Sequence, residues 1–367
     1  MKKIKSKSKP RTRAARGRGK RVIVAMSGGV DSSVAAALLK KENLDIVGVF
    51  MKFWSEKDKN GLICAQNRCC TPESEKRARK VAEKLGIPFY VFNFEKEFKK
   101  KVVDYFLKNF KIGATPNPCV VCNKEIKFGI LLKKALSLKA DYIATGHYAR
   151  KKDNKLLKGK DKEKDQSYFL WQLDQTTLKR ILFPLGDYNK TEVKKLAKKF
   201  KLPVLNIPES QEICFIQTTI SDFLEKHLKP NPGKIIDKKG KVIGEHQGLW
   251  FYTIGQRRKI GLPAGPFYVL DKDLKKNVLI VTKNERDLYK KELIAKNVNW
   301  VPGKVPKLPL KAKVKIRYRH SDVSTTIHHL KSNIYHLKFG RAQRAITPGQ
   351  SVVFYKNKEL VGGGIIC

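Results

Sequence analysis

Residues 25–33 read Ala25-Met26-Ser27-Gly28-Gly29-Val30-Asp31-Ser32-Ser33. The run before them, 21–26 (RVIVAM), is apolar almost throughout and predicts a buried strand. The run after them, 32–41 (SSVAAALLKK), predicts a helix. A Gly-rich turn between strand and helix binds phosphate. The glycines let the backbone approach the anion, and the helix start offers unpaired N–H groups and the positive end of its dipole. Ser27, Ser32 and Ser33 add hydroxyl donors. No lysine stands at the helix start, so this is not the GxxxxGK[ST] loop. A loop of N–H groups and hydroxyls suits a pyrophosphate that has to leave.

SGGVDS resembles the PP-loop of ATP pyrophosphatases, which split ATP into AMP and pyrophosphate while adenylating a substrate oxygen. The plain alternative is a structural Gly-Gly turn. The register of strand, turn and helix, with an acidic residue inside the turn, favours the anion loop.

Outward from this motif, strand-like and helix-like segments alternate to about residue 200. Strands are predicted at 45–51, 88–92 and 140–145, and helices at 72–85, 95–109 and 126–138. Such alternation predicts a doubly wound parallel sheet with ligands at the carboxyl ends of its strands, where the Gly-rich turn, Met51 and Gly146 fall. From about residue 216 short strand-like pieces separated by Gly, Pro and Asn turns replace the helices. They include 233–237, 241–244, 267–270 and 278–281, then 311–318, 324–330, 335–339 and 351–355, and the later ones predict a small antiparallel barrel or sandwich. The expected organisation is a basic arm (1–20), an α/β nucleotide-binding catalytic domain (21–215), a small β-rich central domain (216–287) and a C-terminal antiparallel β-barrel (288–367). Residues 151–164 read as a Lys/Asp-rich loop.

The chain has 367 residues, 41% hydrophobic, and a formal net charge of +46. That charge selects polyanions, nucleic acid first, although lysine spread over every solvated face accounts for part of it. Residues 1–20 carry Lys and Arg, no acid and little apolar surface; they predict a disordered electrostatic arm. No run of about 18 apolar residues predicts a membrane span. No apolar h-region predicts a secretory signal. Seven cysteines without a disulfide-framework spacing suit a reducing cytoplasm.

Two cysteine segments are flanked by turn residues. In 115–123 (TPNPCVVCN), Cys119 and Cys122 stand in a Pro-bounded loop before a helix, a position expected to favour the Cys122 thiolate. Cys214 lies in 208–216 (PESQEICFI). A loop nucleophile with a distant second thiol fits sulfur transfer. The competing readings are a buried core cysteine for Cys214, and a zinc half-site for Cys119 and Cys122 completed by Cys64, Cys69 or Cys70.

The chain as a whole resembles the tRNA-specific 2-thiouridylases. The resemblance runs from about residue 20 to the C-terminus on AMSGGVDSS (25–33), TPNPCVVCNKEIKFG (115–129), ATGHYAR (144–150), KDQSYFLWQL (164–173), ESQEICFI (209–216), GLWFYTIGQR (248–257), KIRYR (315–319), TPGQSVVFY (347–355) and GGGII (362–366). It implies that Ala25, Met26, Ser27, Gly28, Gly29, Val30, Asp31, Ser32, Met51 and Gly146 hold ATP, with Mg2+ neutralising its phosphates. It implies a catalytic pair, Cys122 as nucleophile and Cys214 as persulfide carrier. Asn117, Pro118 and Cys119 would meet the target base; His147, Lys164, Asp165, Gln166, Arg317, Tyr318 and Gln350 would contact tRNA at its anticodon stem-loop. A cysteine desulfurase or sulfur carrier would load Cys214, a Cys122–Cys214 disulfide would close each turnover, and a cytoplasmic monomer is expected.

One position departs from the family pattern. Where members commonly carry Asp, this chain has Cys119, giving three thiols. Cys119, Cys122 and Cys214 form the ligand count of a [4Fe–4S] cluster with one open iron, the alternative to a persulfide route. Rival classes are another PP-loop pyrophosphatase acting on RNA, which needs no thiol pair, and a non-catalytic RNA-binding protein. Arg317 and Arg319, alternating on an expected strand, would share a phosphate-binding face.

Overall fold

The computed structural model describes residues 19–57, 63–65, 67–204 and 213–367. Most of the basic arm and part of the 209–216 motif lie outside them.

The first layer is a parallel sheet of five strands: β1 (Arg21–Ala25), β2 (Asp45–Lys52), β3 (Phe89–Asn93), β4 (Tyr142–Ala144) and β5 (Ile181–Leu182), in the spatial order β3-β2-β1-β4-β5. The order reverses beside β1, so the crevice over the carboxyl ends of β1 and β4 is the topological switch point. β1 is buried on both faces, with Val22, Ile23 and Val24 at most 1% exposed, which is why its sequence is apolar without alternation. Helix α1 (Val30–Lys41) packs on the sheet through Val34, Ala35 and Ala36; alanines let it approach closely. Asp31 in its first turn and Lys40 and Lys41 in its last complement its dipole. Helix α2 (Pro72–Leu85) starts at the Thr71 cap, whose side chain accepts from the Ser74 N–H, and stops at left-handed Gly86.

The central sheet runs Val242–His246, Gly233–Ile236, Val278–Thr282, Tyr268–Asp273 around a core of Ile235, Val269, Leu279 and Val281. The C-terminal strands close on themselves: Tyr289–Trp300, Ile334–Arg344, Val323–Lys331, Leu310–Lys315, Ser351–Lys356 and Glu359–Ile366, with the last pairing back to the first. The expected parallel sheet, central β-rich unit and closed antiparallel barrel are all present.

Three local expectations are corrected. The 151–164 segment is not simply a loop: Ala149–Lys152 and Lys155–Lys158 form a hairpin whose second strand pairs with the last barrel strand, Leu156 against Leu360. Leu156 is fully buried there, and that apolar contact outweighs the polar composition around it. The strand expected at 311–318 ends at Lys315, so Arg317 and Arg319 lie in a turn closed by the His320 N–H to the Arg317 carbonyl, and strand alternation does not place them. The expected helices at 95–109 and 126–138 each contain a π-helical stretch, Lys99–Val103 and Asn123–Ile130.

The barrel is fixed against the catalytic domain. Trp171 Nε1 donates to Ser351 Oγ at 3.0 Å, Tyr168 Oη to the Ser351 carbonyl at 2.9 Å, and Asn299 Nδ2 to the Trp171 carbonyl at 2.7 Å. The barrel turn before Ser351 reaches the Cys119–Cys122 loop: Thr115 N–H donates to the Pro348 carbonyl and Gln350 Nε2 to the Thr115 carbonyl, at 2.8 and 2.9 Å.

Candidate active site

The loop from β1 to α1 is held from three sides. Gly28 has φ +75°, and a Cβ on it would stand 2.2 Å from the Ser74 carbonyl oxygen in the first turn of α2. Arg77 fastens the same contact, its Nε donating to the Gly28 carbonyl and its Nη2 to Ser74 Oγ. Gly146, just past β4, lies against the start of α1, where a Cβ would stand 2.8 Å from the Ser32 nitrogen. Within the loop, Ser32 Oγ accepts from the Ser27 N–H and donates to the Gly29 carbonyl, both at 3.1 Å. Ser33 is fully buried and donates to the same carbonyl at 2.8 Å, so its hydroxyl serves the helix start rather than a ligand. Ala25, Met26 and Val30 are buried. Ser27 is exposed, and Met51 is half-buried at the end of β2.

Two groups beside the loop escaped the sequence reading. Lys190 Nζ and Tyr148 Oη both donate to Asp31 Oδ1, at 2.7 and 2.8 Å. Lys190 opens the helix Lys190–Lys199, 159 residues from Asp31, so no local spacing announced it. It brings a cation to a loop whose own sequence has none.

The thiols form the second half of the site. Asn117 caps the turn Pro118–Cys122, accepting from the Val120 N–H. Cys122 is the last residue of that turn and is buried. Burial pushes its thiol up to about 12, against the opposing pull of Lys127. The expected dipole effect is overridden: desolvation of the thiolate decides. Cys119 is solvent-exposed yet crowded by protein, and desolvation raises its thiol too.

Cys214 is not beside Cys122 alone. A thiol–thiol interaction with Cys69 dominates its titration. That interaction draws Cys69 below the ordinary thiol range and drives Cys214 well above it. Backbone contacts support the pairing: the Arg68 N–H donates to the Cys214 carbonyl at 2.8 Å, and Arg68 Nη2 to the Gln217 carbonyl at 2.6 Å. Cys70 turns away, its sulfur taking the Phe53 N–H at 3.2 Å, and burial pushes it up to about 12.

Lys127 sits among these sulfurs. Burial works to lower its pKa, and thiolate charge on Cys122, Cys69, Cys119 and Cys214 works to raise it, with a net rise. It lowers Cys69, Cys119 and Cys122 in return. Replacing Lys127 with Met removes this field. The midpoint of Cys69 alkylation by iodoacetamide, followed by peptide mass spectrometry, is expected to move upward by up to about one pH unit. An unchanged midpoint would show that the ammonium does not govern the thiols.

The other residues singled out in the sequence fall in two groups. His147 is buried, its Nδ1 bonded to Thr145 Oγ1 at 2.7 Å and its ring against Phe128 and Phe183; burial and then Lys127 push its pKa well down, so it is neutral. Asp165 is buried, accepting from the Gly159 and Ser167 N–H groups and the Ser167 hydroxyl. Gln166 Oε1 accepts from the Tyr148 N–H, and Gln350 holds the Thr115 carbonyl. These side chains are occupied within the protein. Lys164, Arg317 and Tyr318 are half-buried, Tyr318 lying 4.5 Å from the Phe169 ring centroid.

The cluster geometry does not fit an iron–sulfur group. Among the described residues, no three His, Cys, Asp or Glu side chains stand in a metal-holding arrangement. The zinc reading of Cys69, Cys70, Cys119 and Cys122 fails by the same test; the Cys64 side chain lies outside the described residues. No helix among the described residues is long and apolar enough to cross a membrane.

The two halves meet through short chain segments. Ser74 touches the anion loop, and Cys69 lies five residues before it; Gly146 touches the loop, and the next residue, His147, lies by Lys127 and Phe128. A phosphate loop at the switch point of a doubly wound sheet, wired to a thiol cluster, defines a nucleotide-dependent enzyme of sulfur chemistry.

Comparison with known proteins gives the family. Family models match residues 20–218 (tRNA methyl transferase HUP domain), 221–283 (tRNA methyl transferase PRC-barrel domain) and 290–366 (aminomethyltransferase beta-barrel domain). The tRNA-specific 2-thiouridylase MnmA of Clostridioides difficile (strain 630) is 45% identical, covering 95% of this chain and 98% of that protein. MnmA 2 of Geobacillus kaustophilus (strain HTA426) is 44% identical over 94% of both, and MnmA 2 of Thermoanaerobacter sp. (strain X514) is 47% identical over 94% of this chain and 97% of that one. The chain belongs to the tRNA-specific 2-thiouridylase family of sulfurtransferases.

Proposed function

We propose that this enzyme converts the wobble uridine of tRNA to 2-thiouridine at the expense of ATP, with Cys214 carrying the sulfur as a persulfide and Cys122 as the second thiol. The observation that carries the reading is the wiring of the anion loop to the thiols through the start of α2.

The anticodon loop is single-stranded, so its uridine can be swung into a pocket. Asn117, Pro118 and Cys119 meet the base, on a loop that Gln350 and Pro348 hold from the barrel. The loop 25–32, with Met51 and Gly146, holds the nucleotide. The uridine 2-oxygen displaces pyrophosphate from the α-phosphorus, which turns a poor leaving group into AMP. The N–H groups at the start of α1 and the Lys190 ammonium stabilise the departing charge. Asp31, a hard oxygen donor in the loop, fits magnesium, which when bound supplies further charge neutralisation. Cys122 attacks the outer sulfur of the Cys214 persulfide and passes it to the activated carbon. The new Cys122 persulfide loses that sulfur to uridine as Cys214 closes a disulfide with Cys122, and AMP leaves. Phosphate contacts come from Lys164, Arg317 and the exposed Arg257, Arg258 and Lys259, while His147 and Asp165 act through the segments they hold. An upstream cysteine desulfurase or carrier supplies the sulfane sulfur.

The test is unmodified tRNA with ATP and a persulfide donor, with AMP and 2-thiouridine both quantified. One AMP per 2-thiouridine is expected. AMP formed without tRNA or without thiolation would overturn the reading. Affinity for tRNA is expected to weaken by about two orders of magnitude between roughly 50 and 200 mM salt, and a shallow slope would remove the phosphate contacts.

A further inference from the structure

The Cys122–Cys214 disulfide left by this chemistry is awkward to reduce, because Cys122 is buried and its thiol is held protonated. The structure places a third thiol where it can act. The Arg68 N–H bond to the Cys214 carbonyl, 2.8 Å, sets Cys69 beside Cys214, and both pack against the core cluster that contains Cys122. Cys69 is positioned rigidly: its N–H donates to Asn67 Oδ1 at 3.0 Å, Asn67 Nδ2 donates to the Trp54 carbonyl, and Arg68 ties the turn to residues 214 and 217. Two residues later Thr71 caps α2. Cys69 is also partly open to solvent, which Cys122 is not.

We propose that Cys69 resets the active site by thiol–disulfide exchange, taking Cys214 out of its disulfide with Cys122. The Cys69 thiolate attacks the Cys214 sulfur. A Cys69–Cys214 bond forms, the Cys122–Cys214 bond breaks, and its electron pair leaves on Cys122, which takes a proton in its buried site. The Cys69–Cys214 disulfide is then reduced by two electrons from an external dithiol, which also supplies the two protons. Once Cys214 is in the disulfide it has no S–H to donate, and the charge that still favours the Cys69 thiolate is that of Lys127; a thiol whose pKa lies near ambient pH is the most effective attacker. The high pKa of Cys122 would by itself make it a poor leaving group. Exchange is carried forward by protonation of the Cys122 sulfur as it leaves, and Lys127 steadies the thiolate as it forms.

This inference rests on the persulfide reading. The experiment is a single turnover of the full chain, preloaded with persulfide on Cys214, with tRNA and ATP but no reductant. The reaction is quenched in acid with an alkylating agent, and disulfides are mapped by non-reducing peptide mass spectrometry. Wild type is expected to yield a Cys69–Cys214 linked peptide. Cys69→Ser is expected to give the same first-turnover 2-thiouridine, to accumulate Cys122–Cys214, and to lose at least tenfold in steady-state rate with a dithiol present. Only Cys122–Cys214 in wild type, or a full steady-state rate in Cys69→Ser, overturns the relay and leaves the persulfide reading standing. No 2-thiouridine from preloaded wild type overturns both. The wild-type map decides the matter even if Cys69→Ser folds poorly.

Discussion

Replacing Cys214 with serine is expected to abolish 2-thiouridine formation, by about a thousandfold or more, while tRNA-dependent release of AMP persists. A serine oxygen cannot carry sulfane sulfur, so the second half of the reaction has no donor. The first half needs the loop 25–32 and Gly146, none of which touches Cys214. The separation is physical: Gly146 and Ser74 brace the loop, whereas Cys214 is held by Cys69 and the Arg68 N–H. With the carbonyl oxygen activated and no sulfur to take it, water is the competing nucleophile, and each hydrolysis consumes ATP. The expected signature is therefore AMP without thiolation. The measurement is parallel quantification of AMP and of 2-thiouridine in digested tRNA. Wild-type levels of 2-thiouridine in Cys214→Ser would exclude Cys214 as the carrier, and loss of AMP as well would place Cys214 in the adenylation step.

The parts of this molecule that read directly from sequence are those whose signal is local. β1, the loop and α1 form one uninterrupted pattern of apolar strand, glycines and small-residue helix. The hairpin Ala149–Lys158 did not read, because Leu156 and Leu157 stand among lysines, and what makes them a strand is Leu360, about two hundred residues away. The first barrel strand, Tyr289–Trp300, hides its alternation: Leu293 and Ala295 face inward, then Val298 and Trp300 do. The parity changes because Asn297, at φ +53°, inserts a bulge there. The thiols show the same limit. The motif position of Cys122 suggested an activated thiolate, but burial is a property of the packed core and reverses the sign. Cys69 looked like a spare metal ligand because its partner, Cys214, comes only at the far end of the α/β domain. Lys190 and Lys127 were two among many lysines, and only their neighbours distinguish them.

Those neighbours also explain how the site couples phosphate and sulfur chemistry. α2 begins with Cys69 two residues before its cap and Ser74 in its first turn, so one short rigid segment contacts both Cys214 and Gly28. The anion loop and Cys214 thus share one brace, the start of α2.

That coupling makes Gly28→Ala the most damaging substitution in the loop. Its φ of +75° disfavours any side chain, at a cost of about 1–2 kcal/mol. Its Cβ would also collide with the Ser74 carbonyl oxygen, Cα and carbonyl carbon, at 2.2 to 3.1 Å, and backbone cannot yield as a flexible side chain can. Either the loop or the start of α2 must move, and Arg77 loses its bond to the Gly28 carbonyl in the process. The expected result is a lower melting temperature together with a fall in kcat/KM for ATP of about a hundredfold or more, a loss of about 2.7 kcal/mol in transition-state stabilisation. Gly29→Ala is the control. Gly29 has φ −90° and ψ 165°, and a Cβ there meets only Ser27 Oγ at 3.6 Å, an ordinary contact. Gly29→Ala should melt as wild type does, so any loss of ATP turnover in it reports the approach of phosphate to the backbone rather than a damaged fold. Equal melting temperatures and equal turnover for Gly28→Ala and wild type would show that the contact with Ser74 does not shape the loop. A drop in both for Gly28→Ala alone would establish that α2 and the anion loop are one mechanical unit.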